Sequence, residues 1–128
     1  MLKGLIIDTP HIDNILSGRK TWEMRSTATK QRGPVALILK GSGVVVGLAE
    51  IVDSKGPLGK EDMLANLSKH LIARERIENG EVSKWKHAWI MSGARALPRP
   101  VPYTHPSGAV IWVNLDADVA SAVMKSAT

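Results

Sequence analysis

Two apolar runs separated by a very short connector set the first limit on this fold. Pro34 to Lys40 (PVALILK) and Val44 to Val52 (VVVGLAEIV) flank Gly41-Ser42-Gly43. A parallel pair needs a crossover of a dozen or more residues. The Gly-rich connector permits only a tight turn, so the two runs read as a β-hairpin. The first run is almost continuously apolar and reads as a buried strand. Gly47 interrupts the second, which suggests a bulge, a bend or a close backbone approach.

The other elements follow in order. Leu2 to Asp8 (LKGLIID) reads as a first strand. Thr9 is a good helix N-cap and Pro10 a good first helical residue, so Pro10 to Ser17 reads as a short helix burying Ile12, Ile15 and Leu16. Gly18 supplies the left-handed residue that ends it. Thr21 to Arg25 reads as a second strand, and Ser26 to Gly33 as a mobile basic loop. After the hairpin, Asp53 to Leu58 breaks the pattern. Gly59 to Asn79 is helical in character, with Met63, Leu64, Leu67, Leu71, Ile72 and Ile77 at helical spacing and a restart at Ser68. His87 to Leu97 reads as a strand, followed by an extended stretch through Pro98, Pro100 and Pro102. Tyr103 to Gly108 is a loop and Val110 to Leu115 a last strand. Asp116 to Lys125 is a C-terminal helix with an Asp cap.

These elements amount to five or six strands, and few are separated by helices of crossover length. The chain therefore reads as α+β and mainly β. The expected architecture is a small mixed or antiparallel β-barrel with a short early helix, a middle helical insertion and a C-terminal helix. At 128 residues, with no linker or repeat, residues 1–128 read as one domain.

The chemistry concentrates in Gly18-Arg19-Lys20-Thr21-Trp22-Glu23-Met24-Arg25. On a strand from Lys20 to Arg25, Lys20, Trp22 and Met24 share one face while Thr21, Glu23 and Arg25 share the other. Lys20, at the strand mouth, is within reach of the Glu23 side. A carboxylate between two cations stays ionised and forms a fixed constellation suited to a polar, planar or anionic ligand. The bland alternative is an edge strand carrying solvated charges.

Charge supports the first reading. The chain has a formal net charge of +5. Residues 1–40 carry seven Lys/Arg against three Asp/Glu, whereas residues 41–80 carry five against six. The basic excess thus coincides with the charged stretch and fits a polyanionic partner, nucleic acid foremost. The chain has no Cys, which excludes disulfides, thiolate metal sites and cysteine nucleophiles. His11, His70, His87 and His105 show no metal-ligand spacing, so no metal or other cofactor is expected. Gly41-Ser42-Gly43 lacks the Walker spacing, and Ser42 and Ser107 lack a nucleophile-elbow pattern. No apolar run has the length of a membrane span and the N-terminus has no signal-peptide pattern, so a cytoplasmic protein is expected.

Lys20 and Arg25 suit contacts to phosphate or a base edge, with Arg the better bidentate partner. The loop cations Lys30 and Arg32 suit phosphates. Glu23 suits either a base amino group or the role of counter-ion to Lys20 and Arg25. Trp22 offers a stacking face, though such a Trp is more often core; Trp85, Trp89 and Trp112 read as core. Tyr103 is the better stacking candidate. His11 and His105 are possible acids or bases facing a cleft, since histidine as a residue type titrates near neutrality.

The stretch from Gly18 to Arg25 resembles the G-x-K-x-x-E-x-R signature of ASCH domains, named for activating signal cointegrator homology, in the PUA-like β-barrel superfamily. The early strand and helix match in order. So do the hairpin from Pro34 to Ser54 and the closing Pro106-Ser107-Gly108-Ala109-Val110-Ile111-Trp112. The resemblance implies an RNA-binding module whose cleft lies between barrel and early helix and carries Lys20, Glu23 and Arg25. It also implies an enzymatic alternative without a metal, acting on RNA or a modified nucleoside through Lys20 and Glu23. One bacterial group deacylates acetylcytidine with a Lys, a Thr three residues on and a Glu in the middle helical region. Lys20 matches that Lys, but Glu23 occupies the Thr position, and Lys69 and His70 stand where the Glu is expected. A metal-independent ribonuclease relative also uses a Lys at this motif.

Overall fold

A computed structural model describes residues 1–127. The elements are β1 (Lys3–Ile7), α1 (His11–Leu16), β2 (Trp22–Arg25), β3 (Gly33–Leu39), β4 (Val44–Lys55), α2 (Lys60–Leu64), α3 (Leu67–His70), α4 (Arg74–Glu78), β5 (His87–Pro102), β6 (Trp112–Asn114) and α5 (Ala117–Ser126). The six strands form one sheet in the order β2-β5-β4-β3-β1-β6. The pairs β3–β4, β4–β5, β2–β5 and β1–β6 are antiparallel, while β1 and β3 are parallel. The expected α+β architecture holds, as a mixed half-barrel with β2 and β6 at its two ends.

Curvature comes from β4. Its register against β5 shifts between Val45 and Gly47, Leu48 and Glu50, and Ile51 and Asp53. Each shift bends the strand and raises its twist. Gly47 is also a close approach: a Cβ there would lie 2.3 Å from Leu16 Cδ2 and 2.8 Å from the Arg95 carbonyl oxygen. That missing side chain lets α1 rest on the concave face of the sheet.

Both faces of the sheet centre are buried, which is why PVALILK is continuously apolar. Leu5, Ile7, Val35 and Leu37 point into a core with Ile12 and Ile15 of α1. Their neighbours Ile6, Ala36 and Ile38 point the other way, into a core with Leu115 and Val123. A third cluster joins Trp22 and Met24 of β2 to Met63, Ile72, Ile77 and Val82 of the middle region.

Several local expectations need correction. Thr9 does not cap α1: the Asp8 carboxylate accepts the Thr9 N–H, and Pro10 takes the cap position. The middle region is not one helix with a restart but three short ones, broken at Ala65-Asn66 and at Leu71 to Ala73. The last strand begins at Trp112 rather than Val110, leaving Val110 75% and Ile111 40% exposed. The segment after β2 is held rather than free. Its Thr27 carbonyl accepts from Trp89 Nε1, its Thr29 N–H donates to Ser54 Oγ, and Arg32 donates to the Thr29 and Gln31 carbonyls. The Asp116 cap on α5 is as expected, accepting from the Val119 N–H.

Candidate functional site

The site begins where α1 stops. Gly18, at φ +82°, turns the chain, and its N–H closes on the Ile15 carbonyl. The Lys20 N–H then bonds the Asn14 carbonyl and the Thr21 N–H bonds the Lys69 carbonyl. This pins Lys20 between α1 and α3 with its side chain directed inward, on the Glu23 side of β2. Lys20 is only 3% exposed and Glu23 only 6%, so both charges are buried.

Burying an ion costs several kcal/mol unless its hydrogen-bonding capacity is met. Here it is largely met. Lys20 Nζ lies 3.0 Å from Glu23 Oε1. It also donates to His11 Nδ1 at 2.9 Å. Arg25 donates from Nε and Nη2 to Glu23 Oε2, at 3.1 and 2.8 Å, and from Nη2 to the Ile6 carbonyl at 3.0 Å. The guanidinium sits 5.4 Å from the Trp89 ring centroid, and Trp89 in turn stacks on Trp112. Glu23 thus has each oxygen engaged by a different cation.

Because an ammonium can only donate, His11 Nδ1 must be unprotonated in this arrangement. Burial lowers the His11 pKa below 6.5 and the Lys20 charge lowers it further, against the opposing Glu23. His11 is therefore a neutral ring whose proton is on Nε2.

These groups line a cavity of about 270 Å³ between α1, β1, β2 and the middle helices. Its walls carry Lys20, Arg25, Lys40 and Arg76 against the carboxylates of Asp8 and Glu23, with apolar surface from Ile6, Met24, Ile72, Val82, Trp85 and Val110. Asp8 is 4.0 Å from Lys40 Nζ, and Arg76 pairs with Glu81 at the edge. A concave, largely apolar site with a few convergent charges fits a small polar ligand.

Of the residues singled out in the sequence, Lys20, Glu23, Arg25 and His11 converge here. Trp22 does not line the cavity. It is buried beneath the middle helices, with the Lys69 ammonium 5.1 Å from its ring centroid. Lys30 and Arg32 lie on the loop after β2, outside the cavity, and Arg32 is 3.7 Å from Asp53. Tyr103 and His105 line a second, adjoining cavity. Lys69 and His70 do not reach the cleft. His70 is buried, accepting the Ile72 N–H at Nδ1 and bonding the Met63 carbonyl through Nε2. The middle region instead supplies Arg76 and Trp85. Trp85 packs against the third core cluster, in keeping with a core Trp, but its half-buried ring also forms part of the cavity wall. Asp8, Lys40 and Arg76 were not singled out either. Lys40 carried a signal, a cation closing an apolar strand; Arg76 carried none, because its place depends on how the middle helices break.

A family model described as ASCH domain matches residues 5–100. No curated protein matches the chain. Among solved structures, the chain is similar to ASCH from Zymomonas mobilis, with a TM-score of 0.70 and 12% identity over 96% of this chain and 93% of that one. A tyrosine-to-phenylalanine mutant of the Zymomonas mobilis protein aligns with the same TM-score of 0.70 at 11% identity, over 96% of each chain. At such identity the likeness extends to the fold.

Proposed function

Since this chain belongs to the ASCH domain family, we propose that its cleft binds a nucleotide unit of single-stranded nucleic acid, RNA by preference. The observation that carries this reading is the buried Lys20–Glu23–Arg25 cluster opening into a cavity of about 270 Å³. That volume lies near the lower bound of about 300 Å³ for small-molecule sites. It suits one unstacked nucleoside and excludes a duplex. Glu23, engaged by both cations, orients them as their counter-ion. Lys20 and Arg25 hold the anionic or acceptor edge of the ligand, Trp85 offers an aromatic wall, and Lys40 and Arg76 meet phosphates at the mouth.

The test is fluorescence anisotropy with a short single-stranded RNA at low and moderate salt. Saturable binding that weakens with salt is expected, with at least a tenfold loss in Lys20→Met, a variant that keeps the buried volume. Unchanged binding by a folded Lys20→Met protein at low salt would place the site elsewhere.

One observation favours a second reading, metal-independent hydrolysis of RNA or of an acylated nucleoside. A neutral His11 accepting from Lys20 is a proton acceptor in contact with the family motif lysine. Under this reading Lys20 passes a proton to His11 Nδ1, and the neutral amine so formed takes the proton of the attacking hydroxyl or water while Arg25 stabilises developing charge. Turnover that survives EDTA and is lost in both Lys20→Met and His11→Phe is its expected signature.

A further inference from the structure

The cleft has a neighbour. A second cavity, of about 620 Å³, is lined by the β3–β4 turn, Tyr103, His105 and Ala109. It shares Ile6, Lys40 and Val110 with the first. The two cavities adjoin, with a cation and an exposed apolar side chain among the residues they share.

The far wall is built with more order than an exposed loop requires. His105 Nε2 faces the Ala109 carbonyl at 2.9 Å, so in the neutral ring that nitrogen carries the proton. His105 Nδ1 is then left to accept from the Tyr103 hydroxyl, at 2.7 Å. Both nitrogens of the imidazole are engaged, and the two rings are held edge to face with centroids 5.7 Å apart. The Tyr103 N–H is tied to the Gly43 carbonyl. With its O–H directed at His105 Nδ1, the Tyr103 oxygen retains acceptor capacity for a hydroxyl or amino group of a ligand. Beside it the turn presents bare backbone at Gly41 and Gly43, and the Ser42 hydroxyl between them is engaged with the Leu39 and Val44 carbonyls. The cavity therefore combines a fixed aromatic platform, an acceptor, an open backbone wall and the ammonium of Lys40 at its junction with the first site.

We propose that this second cavity is the subsite for the adjacent nucleotide. Its base packs on Tyr103 and His105, Val110 sits between the two bases, and Lys40 contacts the phosphate that joins them. The occupant of the groove is then at least a dinucleotide, and a free nucleoside fills only half of it. This rests on the nucleic-acid reading of the first cleft and adds a length requirement to it.

The experiment is competition against a labelled hexaribonucleotide by equimolar mixtures of all ribonucleoside monophosphates, all dinucleotides and all trinucleotides. Wild-type protein is expected to prefer dinucleotides over monophosphates by about tenfold, the scale of one base–aromatic stack. Tyr103→Ala should reduce that preference to within twofold while leaving monophosphate competition unchanged. His105→Ala, at an exposed position that carries little of the core, should reduce it in the same direction. Tyr103→Phe, which keeps the ring, should retain most of it. Monophosphates that compete in a Lys20-dependent way, with no gain from a second nucleotide, would overturn the subsite and leave the cleft reading standing. Failure of every nucleic-acid species to bind would overturn both.

Discussion

Glu23 touches both buried cations, with Oε1 toward Lys20 and Oε2 toward Arg25. Its removal should therefore cost more than removal of either cation. In Glu23→Gln, one amide oxygen remains for two donors and the charge between them is gone. Breaking a buried ion pair by removing one partner costs about 3–5 kcal/mol. We expect about 3 kcal/mol here, because the glutamine still accepts from one cation. Lys20→Met leaves Glu23 bonded to Arg25 and fills the same space, so the loss should be smaller, about 2 kcal/mol, that of the bonds Lys20 makes to Glu23 and His11. Urea unfolding of both variants with a common slope checks the order. The opposite order would make Lys20 the anchor of the cluster. Strand alternation places Glu23 beside Arg25 but puts Lys20 on the Trp22 face; Lys20 reaches Glu23 because it precedes β2 and escapes the alternation. His11 as acceptor for Lys20 is also consistent with its place at the start of α1. Lys40 is marked only as a cation closing an apolar strand, and that it meets Asp8 and Arg76 at one cavity is not legible, because β1, β3 and α4 bring them together across long sequence separations.

At the scale of elements, the middle region shows most clearly where periodicity stops being informative. Met63, Leu64, Leu67, Leu71, Ile72 and Ile77 have helical spacing, yet the chain breaks after His70. Leu71 adopts φ 57°, and the His70 ring takes the Ile72 N–H that a continuing helix would send to a carbonyl. A side chain replacing a backbone acceptor leaves no mark on hydrophobic spacing. The hairpin and the Asp116 cap are local devices and read correctly, and Gly47 marks a close approach although its partners Leu16 and Arg95 are distant in sequence. The break has a pH signature. The His70 pKa is lowered, first by burial and then by the Lys20 charge, against its bond to the Met63 carbonyl. His11, facing Lys20, Glu23, Arg76 and Asp8, is lowered too. Well above pH 6.5 both rings are neutral, folded or unfolded, and stability does not vary on their account. Below it the unfolded chain takes up protons that the folded chain refuses, so stability falls with falling pH. The slope for buried His70 approaches about 1.4 kcal/mol per pH unit until its folded pKa is reached. Urea midpoints between pH 8 and 5 should be flat and then fall. In His70→Gln, less stable at pH 8, the fall should be shallower. A wild-type curve that stays level to pH 5 would remove His70 from this role.

Across the whole molecule, the sheet gathers the uneven charge of the chain into one place. Lys20, Arg25 and Lys40 all belong to the basic first forty residues, and β1, β2 and β3 deliver them to one cavity. A net charge of +5 spread over the surface and a groove with a few local cations make different predictions about salt. For single strands, the logarithm of the binding constant falls with the logarithm of salt by about 0.7 per phosphate neutralised. A groove engaging two or three phosphates should give a slope of about −1.5 to −2, shallow for a basic protein. Lys40→Ala, at the junction of the two cavities, should weaken binding of all sequences alike and reduce the slope by about 0.7. Lys30→Ala and Arg32→Ala should leave it unchanged, because neither residue lines the groove and Arg32 already has Asp53 and two carbonyls as partners. Anisotropy titrations from 25 to 200 mM salt, roughly the range over which such slopes resolve, separate the cases. A slope steeper than about −4 that drops equally for Lys30, Arg32 and Lys40 variants would mean that the basic surface, not the groove, holds the nucleic acid.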